Sequence, residues 1–197
     1  MSDKDNYGIV AEGPLARGVN VALVEYTLAP AIRMDAIVAE VKAALAWLRG
    51  RLGSLGAAAD WLFVAGHSAG GHLTAMVAGE PGVAGAMPIS GLFDLEPIRL
   101  SYLNDRVGLD PAEAERNSPI RHIPRAAPPQ IVAVGGAELP ELQRQSAEYY
   151  AALTARGLKA QHLVAAGHDH FSVLEEMASP QGVLTTALMR LVNGEIT

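Results

Sequence analysis

The chain has 197 residues, of which 50% are hydrophobic, and its 15 Lys plus Arg against 21 Asp plus Glu give a formal net charge of -6. A chain of this length can bury a sizeable core as one domain, and the absence of Cys excludes disulfides, thiolate metal sites and a cysteine nucleophile. The acidic balance, without any basic run, makes nucleic acid an unexpected partner.

Short apolar runs alternate with amphipathic stretches along the chain. The runs predict five strands, at residues 19–26, 61–65, 83–89, 131–134 and 159–164. The amphipathic stretches predict helices at 7–17, 35–50, 70–79, 141–156 and 171–192, with Asp35 as the N-cap of the second. This alternation is typical of an α/β protein in which helices cover both faces of a mostly parallel sheet.

Residues 90–129 interrupt the alternation with a long, proline-rich stretch. A connection of that length inside a compact domain is uncommon and often functional. We therefore expect a single domain over residues 1–197, with a cap or lid insertion at about residues 91–128 that lies over the strand ends.

Residues 66–70, Gly-His-Ser-Ala-Gly, match the G-x-S-x-G pattern between a predicted strand and a predicted helix. Such a turn strains the serine backbone and exposes the Ser68 hydroxyl beside a helix N-terminus, where negative charge is favoured. A side chain at Gly66 or Gly70 is expected to collide with neighbouring backbone. Ser68 is the candidate nucleophile, and a glycine-rich turn without chemistry is the alternative.

A serine needs a base, and hydrolases of this type place the acid and then the histidine downstream of the nucleophile. His168 and His170 flank Asp169 in the loop after the last predicted strand, so one of them should be the base. No further ligand stands at metal-binding spacing around this cluster. His67 and His72 lie beside the nucleophile, where packing or hydrogen bonding is their expected role. Of the other two histidines, His122 lies in the insertion and His162 within a strand.

Glu138 is the candidate acid. It follows the strand at 131–134 through a short loop, at the end of a parallel strand where sites gather. Asp94, after the preceding strand, is the rival acid, although a turn or cap role is its ordinary interpretation. Glu141 begins the next helix and is expected to be a solvated charge that complements the helix dipole.

Five segments together resemble the α/β-hydrolases of the kynurenine formamidase (arylformamidase) type. They are residues 66–73 (GHSAGGHL), 90–95 (SGLFDL), 117–119 (NSP), 134–138 (VGGAE) and 169–171 (DHF). Residues 26–30 (YTLAP) and the Ser68 turn also resemble hormone-sensitive-lipase-like esterases. The resemblance implies a three-layer α/β-hydrolase sandwich, with Ser68 as nucleophile, Glu138 in the usually Asp acid position and His170 as base.

One departure from the family concerns its His-Gly-Gly oxyanion segment, which does not occur in the sequence. The first residues resemble the stretch just after that segment, so the resemblance implies an N-terminally truncated fold that lacks three strands and one oxyanion donor. A gap is then expected between the strands at 19–26 and 61–65. An upstream segment, another chain or a rearrangement of the remaining strands would have to fill it, because buried unpaired amides are costly.

The leading interpretation is a serine hydrolase of the arylformamidase or carboxylesterase type, which cleaves a small ester or N-formyl amide through an acyl-enzyme. The amide of Ala69 supplies one oxyanion donor. The alternative is a catalytically impaired hydrolase-fold protein with a binding role, because one lost donor lowers turnover by roughly 100- to 1,000-fold.

The expected partner is thus a small-molecule ester or amide, with a homo-oligomer or a complementing N-terminal segment as a further expectation. No cofactor or metal is expected. The apolar runs are much shorter than the roughly 20 residues of a membrane span, which argues against a membrane partner. The N-terminus lacks an apolar signal region, so a cytoplasmic location is expected.

Overall fold

A computed structural model describes residues 7–57 and 61–196, and its centre is one parallel sheet of four strands in the order β1-β2-β3-β4. The strands are β1 (Leu62–His67), β2 (Val83–Ile89), β3 (Gln130–Gly135) and β4 (Ala160–Ala165). Four of the five predicted strands are therefore confirmed, and all run in the same direction.

Helices occupy most of the connections between the strands. The longer ones are α2 (Met34–Arg49), α3 (Ala69–Val77), α7 (Pro140–Ala155) and α9 (Val183–Val192). The shorter ones are α1 (Glu12–Ala16), α4 (Glu96–Arg99), α5 (Asn104–Val107), α6 (Pro111–Arg116) and α8 (Glu175–Ala178), with 3-10 turns at Gly8–Ala11, Leu52–Leu55, Pro119–His122 and Ser172–Leu174. In the described ranges, no helix combines the length and the apolar character that crossing a bilayer requires.

Strand β3 shows why helices lie on both faces of the sheet. Ile131 and Ala133 pack in a cluster with side chains of α8 and α9, whereas Val132 between them packs with Tyr149 and Leu153 of α7. Successive strand side chains point to opposite faces, so a continuous apolar run needs cover on both. The predicted three-layer arrangement is confirmed.

The prediction of a strand at residues 19–26 is wrong. This segment is irregular in the described chain, and Val21, Leu23 and Val24 are 37–43% exposed. Its β-branched residues suit a strand, but a strand forms only where a neighbouring strand pairs with it. Among the described residues, β1 pairs with β2 alone, so the segment at 19–26 has no partner in the sheet. Tyr26 instead packs against the cluster that joins α2 to α3.

The predicted final helix, residues 171–192, is broken into the turn at Ser172–Leu174, then α8 and α9. Pro180 lies in the break, where its ring and missing amide cannot continue a helix. The chain then folds back so tightly that a Cβ on Gly182 would lie 2.1 Å from the carbonyl oxygen of Glu176.

The proline-rich segment between β2 and β3 contains α4, α5 and α6 and is tied to the start of α2. Arg33 lies 2.5 Å from the buried carboxylate of Glu113, and Arg116 lies 2.5 Å from Asp35. Asp35 therefore serves as an ion-pair partner within the first turn of α2, whose N-cap is Arg33 and not Asp35 as predicted.

The first turn of α3 is tied to the same segment through His72. This side chain is 2% exposed, and its Nε2 lies 2.7 Å from the carbonyl oxygen of Asn117, to which it donates. Burial lowers the pKa of His72 to about 4, against the opposing effect of that hydrogen bond. The imidazole is therefore neutral in the folded protein at pH 7.

Acidification is expected to destabilise the fold through His72. Its pKa is about 6.5 in the unfolded chain, which therefore binds more protons between pH 6.5 and 4, so the free energy of unfolding falls as the pH falls. Between pH 7 and 5 this group alone lowers it by about 2 kcal/mol. Urea unfolding at both pH values should show that His72→Gln, which keeps a donor but does not titrate, reduces the loss.

The matched control is His122→Gln, which replaces an exposed imidazole bonded to the carbonyl oxygen of Glu115. It should leave the difference between the two pH values unchanged. Equal pH dependence in the wild type and His72→Gln would contradict the assignment.

Candidate active site

The carboxyl ends of all four strands meet at one edge of the sheet, as parallel strands require. Ser68 follows β1, Ser90 follows β2, Glu138 lies three residues beyond β3 and His170 lies in the loop after β4. Hydrogen bonds also join the loops, since the amide of Ala137 donates to the carbonyl oxygen of His168 at 2.9 Å. Side chains distant in sequence thus share a rigid frame.

Ser68 occupies a strained turn between β1 and α3. Its φ of 56° and ψ of -116° lie outside the regions that non-glycine residues normally adopt. Its amide donates to the carbonyl oxygen of Ile89 at 2.9 Å, which ties the turn to the end of β2. The nucleophile candidate is held in place by the backbone and not by its own conformational preference.

The glycines of this turn are required at slightly different positions from those predicted. A Cβ on Gly66 would lie 2.4 Å from the carbonyl oxygen of Gly70, as expected, but a Cβ on Gly70 would meet nothing within 4 Å. The second crowded position is Gly71, whose Cβ would lie 2.7 Å from the carbonyl oxygen of Ile89. Helix α3 therefore approaches β1 at Gly66 and the end of β2 at Gly71.

His170 lies between Ser68 and Glu138. Its Nε2 is 3.0 Å from Ser68 Oγ, and its Nδ1 is 2.8 Å from Glu138 Oε2. An ionised carboxylate only accepts hydrogen bonds, so Nδ1 carries the proton and donates it, which leaves Nε2 to accept from the Ser68 hydroxyl. The structure brings the three predicted side chains together in one chain of hydrogen bonds.

The carboxylate of Glu138 is fully buried and has a donor for each oxygen. His170 occupies Oε2, while Oε1 accepts from the Ser90 hydroxyl and, at 2.9 Å, from the amide of Gly135. Burial raises the pKa of Glu138, but the hydrogen bonds from His170, Ser90 and Gly135 together outweigh it and lower the pKa. The acid is therefore ionised at neutral pH despite its burial.

His67, the residue before the candidate nucleophile, packs against the candidate base. The ring centroids of His67 and His170 are 4.5 Å apart, and neither ring nitrogen of His67 has a hydrogen-bond partner among the described residues. Burial, reinforced by the neighbouring His170, lowers the pKa of His67 to about 4. A neutral His67 therefore packs beside the His170 ring, tilted by 43° to it, and adds no positive charge there.

The other candidate histidine, His168, points elsewhere. Its Nδ1 lies 3.1 Å from the carbonyl oxygen of Ser172, and its Nε2 lies 3.2 Å from Glu176 Oε1. Of the remaining histidines, His162 stacks on Tyr150 at a centroid distance of 5.6 Å. The described contacts therefore connect Ser68 to His170 and not to His168.

The rival carboxylates have other partners. Asp94 accepts from the amide of Glu96 at 3.1 Å and pairs with Arg121 at 3.0 Å, which is the turn role expected for it. Glu141 lies in the first turn of α7 and binds Arg144. Neither carboxylate has a described hydrogen bond to His170.

Ala69 is the first residue of α3 and directly follows Ser68. The first amides of a helix have no acceptor within the helix, and they carry the positive end of its dipole. An oxyanion formed at Ser68 would thus develop beside a helix N-terminus.

Two groups of this site were not predicted from the sequence, namely the Ser90 hydroxyl and the Gly135 amide that bind Glu138. Ser90 can be suspected only once the sheet order is known. It directly follows β2, which lies between the strands leading to Ser68 and Glu138, so it must emerge close to both. Gly135 could have been suspected because the loop that carries an acid must turn sharply after its strand.

Comparison with known proteins gives one matching family model, that of the α/β-hydrolase fold, over residues 14–174. Kynurenine formamidase from Danio rerio is 33% identical in an alignment that covers 96% of this chain and 68% of that protein. Kynurenine formamidase from Salmo salar is 30% identical with the same coverage. A hyperthermophilic esterase from Pyrobaculum calidifontis, 21% identical, superposes with a TM-score of 0.84 over 100% of this chain and 74% of that one, and shares its fold.

Proposed function

The chain belongs to the α/β-hydrolase fold family, and we propose that it is a serine hydrolase that cleaves a small ester or N-formyl amide through an acyl-enzyme at Ser68. The observation that carries this proposal is the continuous hydrogen-bond chain from Ser68 Oγ through His170 to Glu138. The similarity to kynurenine formamidases supports the formamide as one substrate class.

In the proposed acylation step, Ser68 Oγ attacks the acyl carbon while His170 Nε2 takes the hydroxyl proton. The imidazolium is stabilised by Glu138 at Nδ1. It then returns the proton to the leaving alcohol or amine as the bond to the acyl carbon breaks. Ser68 is left as an acyl ester, which is a formyl ester when the substrate is an N-formyl amide.

In the proposed deacylation step, His170 accepts a proton from water as the water oxygen attacks the acyl carbon. Ser68 regains its proton as it leaves, and the products are a carboxylic acid, or formate, and free enzyme. The amide of Ala69, at the N-terminus of α3, donates to the oxyanion in both steps.

Exposed apolar side chains beside the proposed base and acid support an apolar leaving group. Phe171 is 75% exposed, and its ring meets that of His170 edge to face at a centroid distance of 5.4 Å. Leu139, which follows Glu138, is 70% exposed. Because aromatic rings pack favourably on one another, an aryl group of the substrate can contact the exposed Phe171 ring. We therefore propose an aryl amine or aryl alcohol as the leaving group. We also propose that the insertion at residues 91–128 forms a cap over it.

The test begins with a fluorophosphonate probe on the full chain, followed by turnover of an N-formyl aryl amide, a short p-nitrophenyl ester and a matched alkyl ester. We expect covalent labelling at Ser68, and faster turnover of the two aryl substrates than of the alkyl ester. Phe171→Ala should raise the KM for aryl substrates more than for the alkyl ester, because only an aryl group stacks on the ring.

The outcomes separate the proposals. A folded chain that is not labelled would contradict catalysis at Ser68 and favour a hydrolase-fold protein with a binding role. Labelling together with equal turnover of aryl and alkyl esters would contradict the aryl preference alone.

A further inference from the structure

Ser90 stands out among the residues around Glu138 because of both its burial and its backbone. The residue is 0% exposed, and its hydroxyl donates to Oε1 of Glu138. Its φ is 51°, and among the described non-glycine residues only Ser68 also has a positive φ. Serine is strained in this left-handed region, whereas glycine adopts it freely.

The backbone of Ser90 is fixed on both sides. Its amide donates to the carbonyl oxygen of Ala133 at 2.8 Å, which extends the ladder between β2 and β3 by one residue. The preceding residue, Ile89, accepts from the amide of Ser68. The turn that aims the Ser90 hydroxyl at the acid is therefore the turn that also anchors the candidate nucleophile.

We propose that Ser90 is a positioning residue, whose hydroxyl holds the carboxylate of Glu138 in the orientation that binds and polarises His170. The inference rests on the proposed function. Glycine is the usual residue at a backbone position with positive φ. Serine at position 90 supplies what glycine cannot, a hydroxyl that bonds to Glu138. Without it, Oε1 keeps a single donor, the amide of Gly135, and the buried carboxylate can rotate away from Nδ1.

The same contact affects the proton affinity of the site. Its titratable groups are Glu138, His170 and His67, and burial keeps His67 neutral above pH 4. The Ser90 hydrogen bond lowers the pKa of Glu138, so its removal makes the buried carboxylate bind a proton more readily. This change moves the acidic limb of the activity profile to higher pH.

The test compares Ser90→Ala and Ser90→Gly with the wild type. Both variants lack the hydroxyl, but Ala retains the backbone strain and Gly relieves it. We expect both to lose kcat by a similar factor of about 10 to 100 towards a p-nitrophenyl ester, with KM little changed. The acidic limbs of kcat/KM and of the fluorophosphonate labelling rate should both shift to higher pH.

Urea unfolding gives the second readout. Ser90→Gly should be at least as stable as Ser90→Ala, so that activity follows the hydroxyl and stability follows the backbone. The control is Ser146→Ala, which removes another fully buried hydroxyl that has no hydrogen-bond partner among the described residues. It should retain wild-type kcat and the wild-type pH profile.

Three results would overturn the inference. Wild-type kcat and pH profile in both variants would exclude a positioning role, while loss in Ala with full activity in Gly would assign Ser90 a backbone role alone. A wild type that neither turns over esters nor labels at Ser68 would end the proposed function, and the inference with it. The first two results would remove the inference and leave the proposed function standing. If Ser90→Ala does not fold, the comparison of Gly with wild type still decides.

Discussion

Ser68→Ala is expected to abolish fluorophosphonate labelling and to lower ester turnover by at least about 10,000-fold, to the level that binding and the oxyanion donor sustain without a nucleophile. The expectation follows from the 3.0 Å contact between Ser68 Oγ and His170 Nε2, since no other hydroxyl has a described bond to that nitrogen. Labelling followed by peptide mass spectrometry, together with steady-state kinetics, measures both effects.

The control for this variant is Ser172→Ala. Ser172 begins the 3-10 turn just after His170, and its hydroxyl accepts from the amide of Asp169 and has no described bond to Ser68 or His170. It should keep full labelling at Ser68. Labelling of any other serine in the Ser68→Ala protein would refute the assignment of the nucleophile.

His170→Ala should lower kcat by a similarly large factor, because Ser68 then has no base and Glu138 no imidazole to orient. His168→Ala should retain a substantial fraction of wild-type kcat, since the described bonds of His168 go to Ser172 and Glu176. The two variants differ by two positions in one loop, so a general effect on loop folding would affect both. Steady-state kinetics with circular dichroism distinguishes these cases.

The opposite pattern, with His168→Ala inactive and His170→Ala active, would move the base by two residues. Equal loss in both with intact secondary structure would indicate that the loop matters as a whole. Either result would contradict the hydrogen-bond chain from which the proposed mechanism is derived.

The strands of the sheet interior were the most predictable elements. Residues 83–89 were predicted with the bounds that β2 has, because β2 has neighbours on both sides and its apolar run is needed on both faces. The segment at 19–26 has a similar composition but lies outside the sheet. The local sequence indicates whether a segment is compatible with a strand. Whether the strand forms depends on neighbouring strands, which the local residue pattern does not specify.

The arrangement of the site could be predicted as far as local motifs reach. Residues 66–70 and the loop of His170 carry recognisable patterns, and the structure places Ser68 and Glu138 each within hydrogen-bond distance of His170. The role of Ser90 could not be predicted, because it depends on a backbone angle and on a contact across 48 positions in sequence. Such contacts follow from sheet order, which becomes known only with the fold.

Gly135 has an evolutionary consequence. A Cβ there would lie 2.4 Å from the carbonyl oxygen of His168 and 3.0 Å from the side chain of Glu138, while its amide holds the Glu138 carboxylate. The residue accepted at position 135 therefore depends on the residue at position 138, and the reverse also holds. A shorter acid at position 138 would vacate space and forfeit the bond to this amide, whereas a larger residue at position 135 would displace both loops.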